Sequence, residues 1–258
     1  MGLLQDKVVL VSGATQGLGE GIAVAAARAG ASVAVSGRRR EAGEQVVARI
    51  RAEGGTAEFV QTDLAEASQA VQSVRDTVQV FGRIDSLVNS AGLTSRGTLL
   101  DTTPEMFDQQ IAVNLRAAFF TMQAAVRDML ERGAPGTIVN IISMASHGGQ
   151  PYLAPYVAAK AGLAGVTRNA AFAHRFDRIR INGVNIGWTQ TEGEDAVQRR
   201  FHAADDGWLD EAATRLPMGR LGQVDEIADF VVFLASDRSG VVTGSVIDWD
   251  QYVPGAHE

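Results

Sequence analysis

The sequence contains no cysteine, few aromatic residues and no long apolar run. Without cysteine, the chain can form neither a disulfide framework nor a zinc–thiolate site. The first apolar run, residues 8–11, is too short for the core of a signal peptide or for a membrane span. The formal net charge of −7 argues against a nucleic-acid partner. We therefore expect a cytoplasmic protein with no membrane partner and no nucleic-acid partner.

The four histidines are scattered along the chain without the spacing of metal ligands, so no metal site is predicted. They are His147, His174, His202 and His257. Hydrophobic residues make up 46% of the 258 residues, which is enough to bury a large core in one α/β domain.

Short β-branched runs alternate with longer helical patterns along the whole chain. Such alternation predicts one α/β domain over residues 1–258, a doubly wound, Rossmann-type parallel sheet with helices on both faces. Residues 189–217 are polar and less regular, which predicts a mobile substrate flap at about residues 188–217. The predicted strands are residues 8–11, 32–36, 56–61, 84–89, 137–142, 179–186 and 245–248. The predicted helices are residues 19–29, 41–53, 68–81, 104–132, 155–175 and 226–235.

Three glycines lie directly after the first predicted strand and at the start of the first helix: Gly13, Gly17 and Gly19. Glycine lets the backbone turn sharply and approach a pyrophosphate, which the helix N-terminus then stabilises electrostatically. The alternative is a glycine-rich turn that binds nothing, and the position between strand and helix argues against it. The motif therefore predicts a dinucleotide site.

The spacing Gly-x-x-x-Gly-x-Gly resembles that of the short-chain dehydrogenase/reductase family, and four further motifs follow in the family's order over essentially the whole chain. They are Asp63-Leu64, Asn89-Ser90-Ala91-Gly92, Ser143 and Tyr156-x-x-x-Lys160. The resemblance implies an NAD(P)-dependent oxidoreductase. It also implies these cofactor contacts: Gly13, Thr15, Gln16, Gly17, Leu18, Gly19, Asp63, Leu64, Asn89, Ala91, Gly92, Tyr156, Lys160, Gly187, Thr189 and Thr191.

The choice between NAD and NADP depends on the end of the second strand. In the family's register the position of an acidic residue falls on Gly37, so no carboxylate is offered to a ribose 2′-hydroxyl. Ser36, Arg38 and Arg39 could instead bind a 2′-phosphate through charge-assisted contacts. Gln16 counts against this, because phosphate-preferring members often carry a basic residue there. We predict NADP, with NAD as a second cofactor.

Tyr156 and Lys160 are four residues apart in a predicted helix and therefore share one face. A nearby ammonium favours the phenolate and lowers the pKa of a tyrosine, so Tyr156 is predicted to be the acid/base. Ser143 follows a strand and is expected to hydrogen-bond the reacting oxygen. Asn114, within the long helix, resembles the family's fourth catalytic member, which bends the helix and anchors a water beside the lysine.

Polar and aromatic side chains near these residues are the candidates for substrate contacts, and they suit a polyhydroxylated ligand better than a long acyl chain. For His147 a solvent-facing loop position is the alternative. The candidates are Ser143, Ser146, His147, Gln150 and Trp188, with an acidic group in residues 192–195.

Three segments, residues 185–188, 191–195 and 247–252, resemble more loosely the bacterial aldose 1-dehydrogenases of the L-rhamnose type. In this family the last strand and the tail lie at a subunit interface. Exposed Trp249, Tyr252 and Val253 would fit such an interface, and we therefore expect a homotetramer.

Three functions remain open. The first is oxidation of an aldose at C1 to a lactone, with NADP as hydride acceptor. The second is reduction of a carbonyl compound or a 3-oxoacyl thioester by the same residues. The third is a catalytically silent NADP-binding regulator on the same fold, against which the presence of all four catalytic residues argues.

Overall fold

The computed structural model describes residues 2–255 as alternating strands and helices. The strands are β1 (Val8–Ser12), β2 (Ser32–Gly37), β3 (Thr56–Gln61), β4 (Ser86–Asn89), β5 (Gly136–Ile141), β6 (Ile179–Ile186) and β7 (Val246–Trp249). The helices are α1 (Gly17–Arg28), α2 (Arg40–Ala52), α3 (Ala67–Phe81), α4 (Pro104–Ile111), α5 (Ala117–Glu131), α6 (Ala154–Ala173), α7 (Glu192–His202), α8 (Trp208–Thr214) and α9 (Val224–Ala235). No helix among these residues is both long and apolar enough to cross a membrane.

The seven strands form one parallel sheet in the order β3-β2-β1-β4-β5-β6-β7. This order confirms the doubly wound fold predicted from the sequence. It reverses direction between β1 and β4, and at such a point the connections leave toward opposite faces of the sheet. A crevice therefore opens beyond the carboxyl ends of these strands, where open α/β sheets bind their ligands.

Two apolar clusters cover the two faces of the sheet. Val9 and Val11 of β1 belong to one cluster and Leu10 to the other, because successive strand side chains point to opposite faces. Helices α1, α2 and α9 pack on the first face, and α3, α5 and α6 on the second. The strand interiors are therefore mostly apolar, as in the continuous apolar runs of the sequence.

The long helix predicted over residues 104–132 is interrupted by a π-helical segment, Ala112–Arg116, which separates α4 from α5. A π turn inserts an extra residue into the helix and is common at functional sites. Asn114 lies in this segment and is buried. The residue at which a helix bend is predicted from the sequence therefore lies in the π-helical segment.

The predicted flap is more regular than the sequence suggests, because it contains α7 and α8. The Thr191 hydroxyl caps α7 by accepting a hydrogen bond from the Glu194 amide at 3.0 Å. The indole rings of Trp188 and Trp208 lie 6.0 Å apart between ring centres and join the small apolar cluster under α8. The hydroxyl cap of α7 and the packing of Trp188 against Trp208 therefore order the predicted flap, although its composition is mostly polar.

The turn between β1 and α1 is held by a close backbone approach. Gly13 has a φ of +72°, and a Cβ built there would lie 2.6 Å from the Ala91 Cα atom. A side chain at residue 13 would therefore push the turn away from the loop that follows β4. This contact keeps the glycine turn against the crevice.

We predict that Gly13→Ala lowers the free energy of unfolding more than Gly54→Ala does. Gly54 also has a positive φ, +84°, but a Cβ there meets nothing within 4 Å. Each variant loses roughly 1–2 kcal/mol for the left-handed backbone, and only Gly13→Ala adds the clash with Ala91. Urea unfolding measures both losses, and titration with NADPH measures cofactor binding. Equal losses in the two variants would contradict the proposed contact.

Candidate active site

A cleft of about 1100 Å³ lies at the carboxyl edge of the sheet. It joins the glycine turn, the ends of β2 and β5, the start of α6 and the segment that carries α7 and α8. Most residues predicted from the sequence line it: Gly13, Thr15, Gln16, Gly17, Leu18, Gly19, Arg38, Arg39, Asp63, Leu64, Ala91, Gly92, Ser143, Gln150, Tyr156, Lys160, Gly187, Trp188, Thr189 and Thr191.

Two predicted cofactor contacts point into the protein instead of the cleft. Ser36 is completely buried, and its hydroxyl donates a hydrogen bond to Thr62 Oγ1 at 3.0 Å. Asn89 is also buried; its amide donates to Asn140 Oδ1 at 2.9 Å and its oxygen accepts from Thr121 at 2.7 Å. Both side chains satisfy buried polar neighbours, so neither side chain lines the cleft as predicted.

Two predicted substrate contacts, Ser146 and His147, also lie outside the cleft. The Ser146 hydroxyl donates to Asn185 Oδ1 at 3.1 Å. His147 is exposed, and its Nε2 atom lies 2.9 Å from Asp248 Oδ1. The short helical turn after Ser143 directs both side chains toward the ends of β6 and β7. The solvent-facing alternative for His147 is therefore correct.

The glycine turn has the shape of a dinucleotide cradle. Gly17 has a φ of +56°, and the nearest atom to a Cβ built there is on Thr191, 3.9 Å away. The backbone at the N-terminus of α1 therefore faces open space, where amide groups and the helix dipole favour a pyrophosphate. The residues present thus fit a nicotinamide dinucleotide.

Two arginines and no carboxylate follow β2 at the end of this cradle. Arg38 and Arg39 are exposed and line the cleft. Arg39 donates to Gln16 Oε1 at 2.5 Å and to the Thr15 carbonyl at 3.3 Å. A Cβ at Gly37 would lie 2.5 Å from the Thr15 methyl group, so a side chain with a carboxylate at this position would require Thr15 to shift.

Tyr156 is buried at the start of α6 and lines the cleft together with Ser143. Burial raises the pKa of Tyr156 to about 12, and this effect exceeds the lowering by Ser143. The charge of Glu194 raises the pKa further, whereas the charge of Arg96 lowers it. The lowered pKa predicted from the sequence is therefore wrong, because burial opposes the charged phenolate.

Lys160 lies one turn further along α6 and is also buried. Its ammonium donates a hydrogen bond to the Ile141 carbonyl at 2.8 Å and lies 5.6 Å from the centre of the Tyr156 ring. Burial lowers the pKa of Lys160 to about 8. The lysine therefore gives up its proton more readily than an exposed lysine, which weakens its charge beside Tyr156.

Asn114 supports the cleft wall without lining it. Its Oδ1 atom accepts from the Leu93 amide at 2.9 Å, and its Nδ2 atom donates to the Leu93 carbonyl at 2.9 Å and to Gln110 Oε1 at 2.6 Å. Its direct partners are therefore Leu93 and Gln110, and the water expected between Asn114 and Lys160 stays a prediction. Asn114 ties the π-helical segment to the loop after Gly92.

Two charged residues, Glu194 and Arg96, line the cleft and act on the pKa of Tyr156, and Arg96 was not predicted from the sequence. Glu194 Oε1 accepts hydrogen bonds from Trp188 Nε1 and Gln198 Nε2, both at 2.7 Å. Arg96 lines the same part of the cleft. The sequence signal for Arg96 was its place shortly after Gly92, but sequence spacing does not show which side chain of that loop turns inward.

The fold and this cleft define a dinucleotide-dependent oxidoreductase. Residues 13–251 match the family model described as enoyl-(acyl carrier protein) reductase. The chain belongs to the short-chain dehydrogenase/reductase family and is an NAD(P)-dependent dehydrogenase or reductase. Among residues 2–255, no group of three His, Asp or Glu side chains could hold a metal ion; His257 lies outside this range.

Curated relatives cover nearly the whole chain. An uncharacterized oxidoreductase of Thermotoga maritima is 40% identical over 95% of this chain and 96% of its own length. L-rhamnose 1-dehydrogenase (NAD(P)(+)) of a Sphingomonas species is 35% identical over 98% and 99%. The 3-oxoacyl-[acyl-carrier-protein] reductase FabG of Staphylococcus aureus is 35% identical over 93% and 95%. The named dehydrogenase and the named reductase are thus equally similar in sequence to this chain.

Solved structures agree with the fold. A putative short-chain alcohol dehydrogenase from Sinorhizobium meliloti matches with a TM-score of 0.88 and 35% identity, covering 96% of each chain. A putative 2-deoxy-D-gluconate 3-dehydrogenase from Agrobacterium tumefaciens, solved with bound NADP, matches with a TM-score of 0.86 and 33% identity over the same shares. The cofactor of this protein is NAD(P), as these relatives and the glycine cradle show.

We predict that the free energy of unfolding rises between about pH 8 and pH 10 because of Lys160. Its folded-state pKa of about 8 lies below the ordinary value of 10.5, so in this window the unfolded chain binds a proton that the folded chain has lost. Stability rises with pH wherever the unfolded state binds more protons. The raised pKa of Tyr156 acts in the opposite sense only above about pH 10.

Urea unfolding of the wild type and of Lys160→Met at several pH values measures this effect. The difference in stability between the two proteins should move in favour of the wild type as the pH rises from 8 to 10. A difference that stays constant over this range would contradict the lowered pKa.

Proposed function

We propose that the protein oxidises an aldose sugar at C1 to a lactone, with NADP as the hydride acceptor. The observation that carries this proposal is the shared cleft, in which Tyr156 and Ser143 lie between the glycine cradle and a polar end with Gln150, Trp188 and Glu194. Hydrogen-bonding groups beside an indole ring suit a ring with several hydroxyls. The two relatives named L-rhamnose 1-dehydrogenase support the same substrate class.

Each side chain has a definite part in the reaction. When bound, the nicotinamide ring supplies the acceptor for the hydride that leaves C1. The Tyr156 phenolate takes the proton of the C1 hydroxyl, and the Ser143 hydroxyl, which lines the same cleft, orients the same substrate oxygen. Lys160 is in position to hold ribose hydroxyls of the nucleotide, and Asn114 positions the wall after Gly92.

The nearest alternative is reduction of a 3-oxoacyl thioester, as the name of the FabG relatives describes for them. Glu194 and Arg96 line the same cleft as Tyr156, so the substrate meets charged groups there. An acyl chain entering there would have to desolvate these groups without pairing them. This observation favours a polar substrate over an acyl chain.

We predict that aldoses and NADP produce NADPH and that the rate rises with pH. Because the pKa of Tyr156 is about 12, the fraction of phenolate increases about tenfold per pH unit below that value. Tyr156→Phe should abolish turnover, while NADPH titration shows unchanged cofactor binding. Absorbance at the reduced-nicotinamide wavelength, with panels of aldoses, sugar alcohols and ketones, measures the reaction. Turnover by Tyr156→Phe, or reduction of ketones alone, would contradict the proposal.

Arg38 is the residue that we propose to select NADP over NAD. It is exposed at the end of β2 and lines the cleft, whereas Arg39 is already engaged by Gln16 and Thr15. A guanidinium free to turn toward a 2′-phosphate can bind it through paired, charge-assisted hydrogen bonds. Ser36 takes no part because it is buried.

We predict that Arg38→Ala raises KM for NADP by about 10- to 100-fold, which is the effect expected for the loss of charge-assisted contacts. KM for NAD should change little, because NAD has no 2′-phosphate. Arg40→Ala is a matched control: Arg40 is the next residue but one and is held by Gln61 and Glu44. Steady-state kinetics with both cofactors measure the effect. An unchanged KM for NADP in Arg38→Ala would rule out the assignment.

The homotetramer and the cytoplasmic location stay predictions. For the homotetramer, the structure shows which of the three tail residues are exposed enough to contact another subunit. Tyr252 and Val253 are exposed, but Trp249 is half-buried and packs against the apolar cluster of α1 and α9. Any contribution of the tail to a subunit interface therefore depends on Tyr252 and Val253 more than on Trp249.

A further inference from the structure

We propose that the sugar carries a carboxylate and that Arg96 binds it, so that the substrate is an acidic sugar such as a uronic acid. This proposal rests on the proposed function and narrows its substrate class. Arg96 lines the substrate end of the cleft together with Tyr156, Gln150 and Tyr152. It would act as a specificity-determining residue for a group distant from the reacting carbon.

The backbone holds Arg96 firmly beside the start of α6. The Gly97 amide donates to the Tyr152 carbonyl at 2.9 Å, and the Ala154 amide donates to the Gly97 carbonyl at 3.0 Å. These two bonds form a short parallel bridge between Gly97 and Leu153. The loop after β4 therefore brings Arg96 to the same wall as Tyr156, independently of any ligand.

Aromatic rings fix the guanidinium group in place. Its central carbon lies 5.2 Å from the centre of the Tyr152 ring and 5.6 Å from that of Phe201. Arginine stacks well on aromatic faces and keeps the donors in its plane free for other partners. The clamp therefore sets the orientation of the guanidinium fork without using its hydrogen bonds.

The hydrogen-bonding capacity of Arg96 is only partly used. Within residues 2–255 its contacts are with the Thr94 carbonyl, at 3.2 Å from Nη1, and with His202 Nε2, at 3.3 Å from Nη2. Neither partner is a carboxylate. Its Nε atom is buried and has no hydrogen-bond partner among these residues, and a buried donor without a partner is costly.

A carboxylate would supply the acceptor atoms and the negative charge that the guanidinium group of Arg96 lacks. The Nε and Nη2 donors lie on one edge of the guanidinium plane and can bind both oxygens of a carboxylate. His202 contacts Nη2 at this edge and is the last residue of α7, so full pairing requires this one contact to open. A neutral sugar hydroxyl could supply one acceptor but no negative charge.

Glu194 sets the complementary limit on the ligand. It is held by Trp188 and Gln198 and presents negative charge in the same cleft. A carboxylate next to Glu194 would be repelled, whereas sugar hydroxyls could donate to it. The two charges therefore orient an acidic sugar with its carboxylate toward Arg96 and its hydroxyls toward Glu194.

Matched substrates test the proposal without any variant. For each of several aldoses, kcat and KM are measured for the neutral sugar, its 6-carboxylate and its 6-phosphate. We expect the 6-carboxylate to have the highest kcat/KM through a lower KM. Equal or better turnover of the neutral sugars would overturn the role of Arg96 but leave the proposed function intact. Preference for the 6-phosphate would overturn the assignment to a carboxylate. Failure of every sugar would contradict the proposed function itself.

Variants then assign the preference to Arg96. Arg96→Gln should raise KM for the 6-carboxylate by about 10- to 100-fold, with a much smaller change for the neutral sugar and for NADP. Arg96→Lys keeps the charge but not the fork, so it should recover part of the loss. Arg200→Gln is the control, because Arg200 lies over the same Phe201 ring, is exposed and does not line the cleft.

The ratio of kcat/KM between acidic and neutral sugars separates binding from an effect on Tyr156. The charge of Arg96 lowers the pKa of Tyr156, so its removal slows every substrate at a given pH. The change in the pKa of Tyr156 affects acidic and neutral sugars equally and cancels in the ratio of their kcat/KM values. The loss of a carboxylate contact affects only the acidic sugar and therefore changes the ratio. An unchanged ratio in Arg96→Gln would overturn the proposal.

Discussion

The burial of the sheet on both faces is the constraint on which the rest of the structure depends. Strand interiors such as Leu10, Leu87 and Ile138 have no exposed surface, so a polar group can remain there only with a buried partner. Asn89 and Asn140 meet this condition by bonding each other. Thr137 and Asn182 also lie within strands and are likewise hydrogen-bonded, whereas the catalytic side chains and the helix N-terminus share one cleft at the carboxyl edge.

The same desolvation governs the chemistry of that cleft. Burial raises the pKa of Tyr156 and lowers that of Lys160, because in both cases it disfavours the charged form. The acid/base pair is therefore closer to neutral than two exposed side chains would be. Ser143 and Arg96 lower the pKa of Tyr156 and so oppose the effect of burial, whereas the charge of Glu194 raises this pKa further. The proton-transfer properties of Tyr156 thus depend on residues from four separate segments.

Much of the candidate site could be predicted because its motifs are local. The glycine turn, Ser143 and the pair Tyr156 and Lys160 each depend on a few neighbouring residues and on the end of one element. The prediction failed where a side chain had two directions available. Ser36 and Asn89 also follow strands closely, but hydrogen bonds to Thr62, Thr121 and Asn140 turn them inward. Ser146 and His147 are directed away by the short helical turn after Ser143.

By itself, the sequence determined the order of the elements, the parallel sheet and the strand ends at which function lies, because apolar periodicity and glycine positions act over short distances. Tertiary structure decided the rest. The bridge between Gly97 and Leu153 brings Arg96 to the cleft, and packing of Trp188 on Trp208 orders the helical flap that carries Glu194. Such contacts join residues distant in the chain, and their charges and burial depend on which surfaces finally meet.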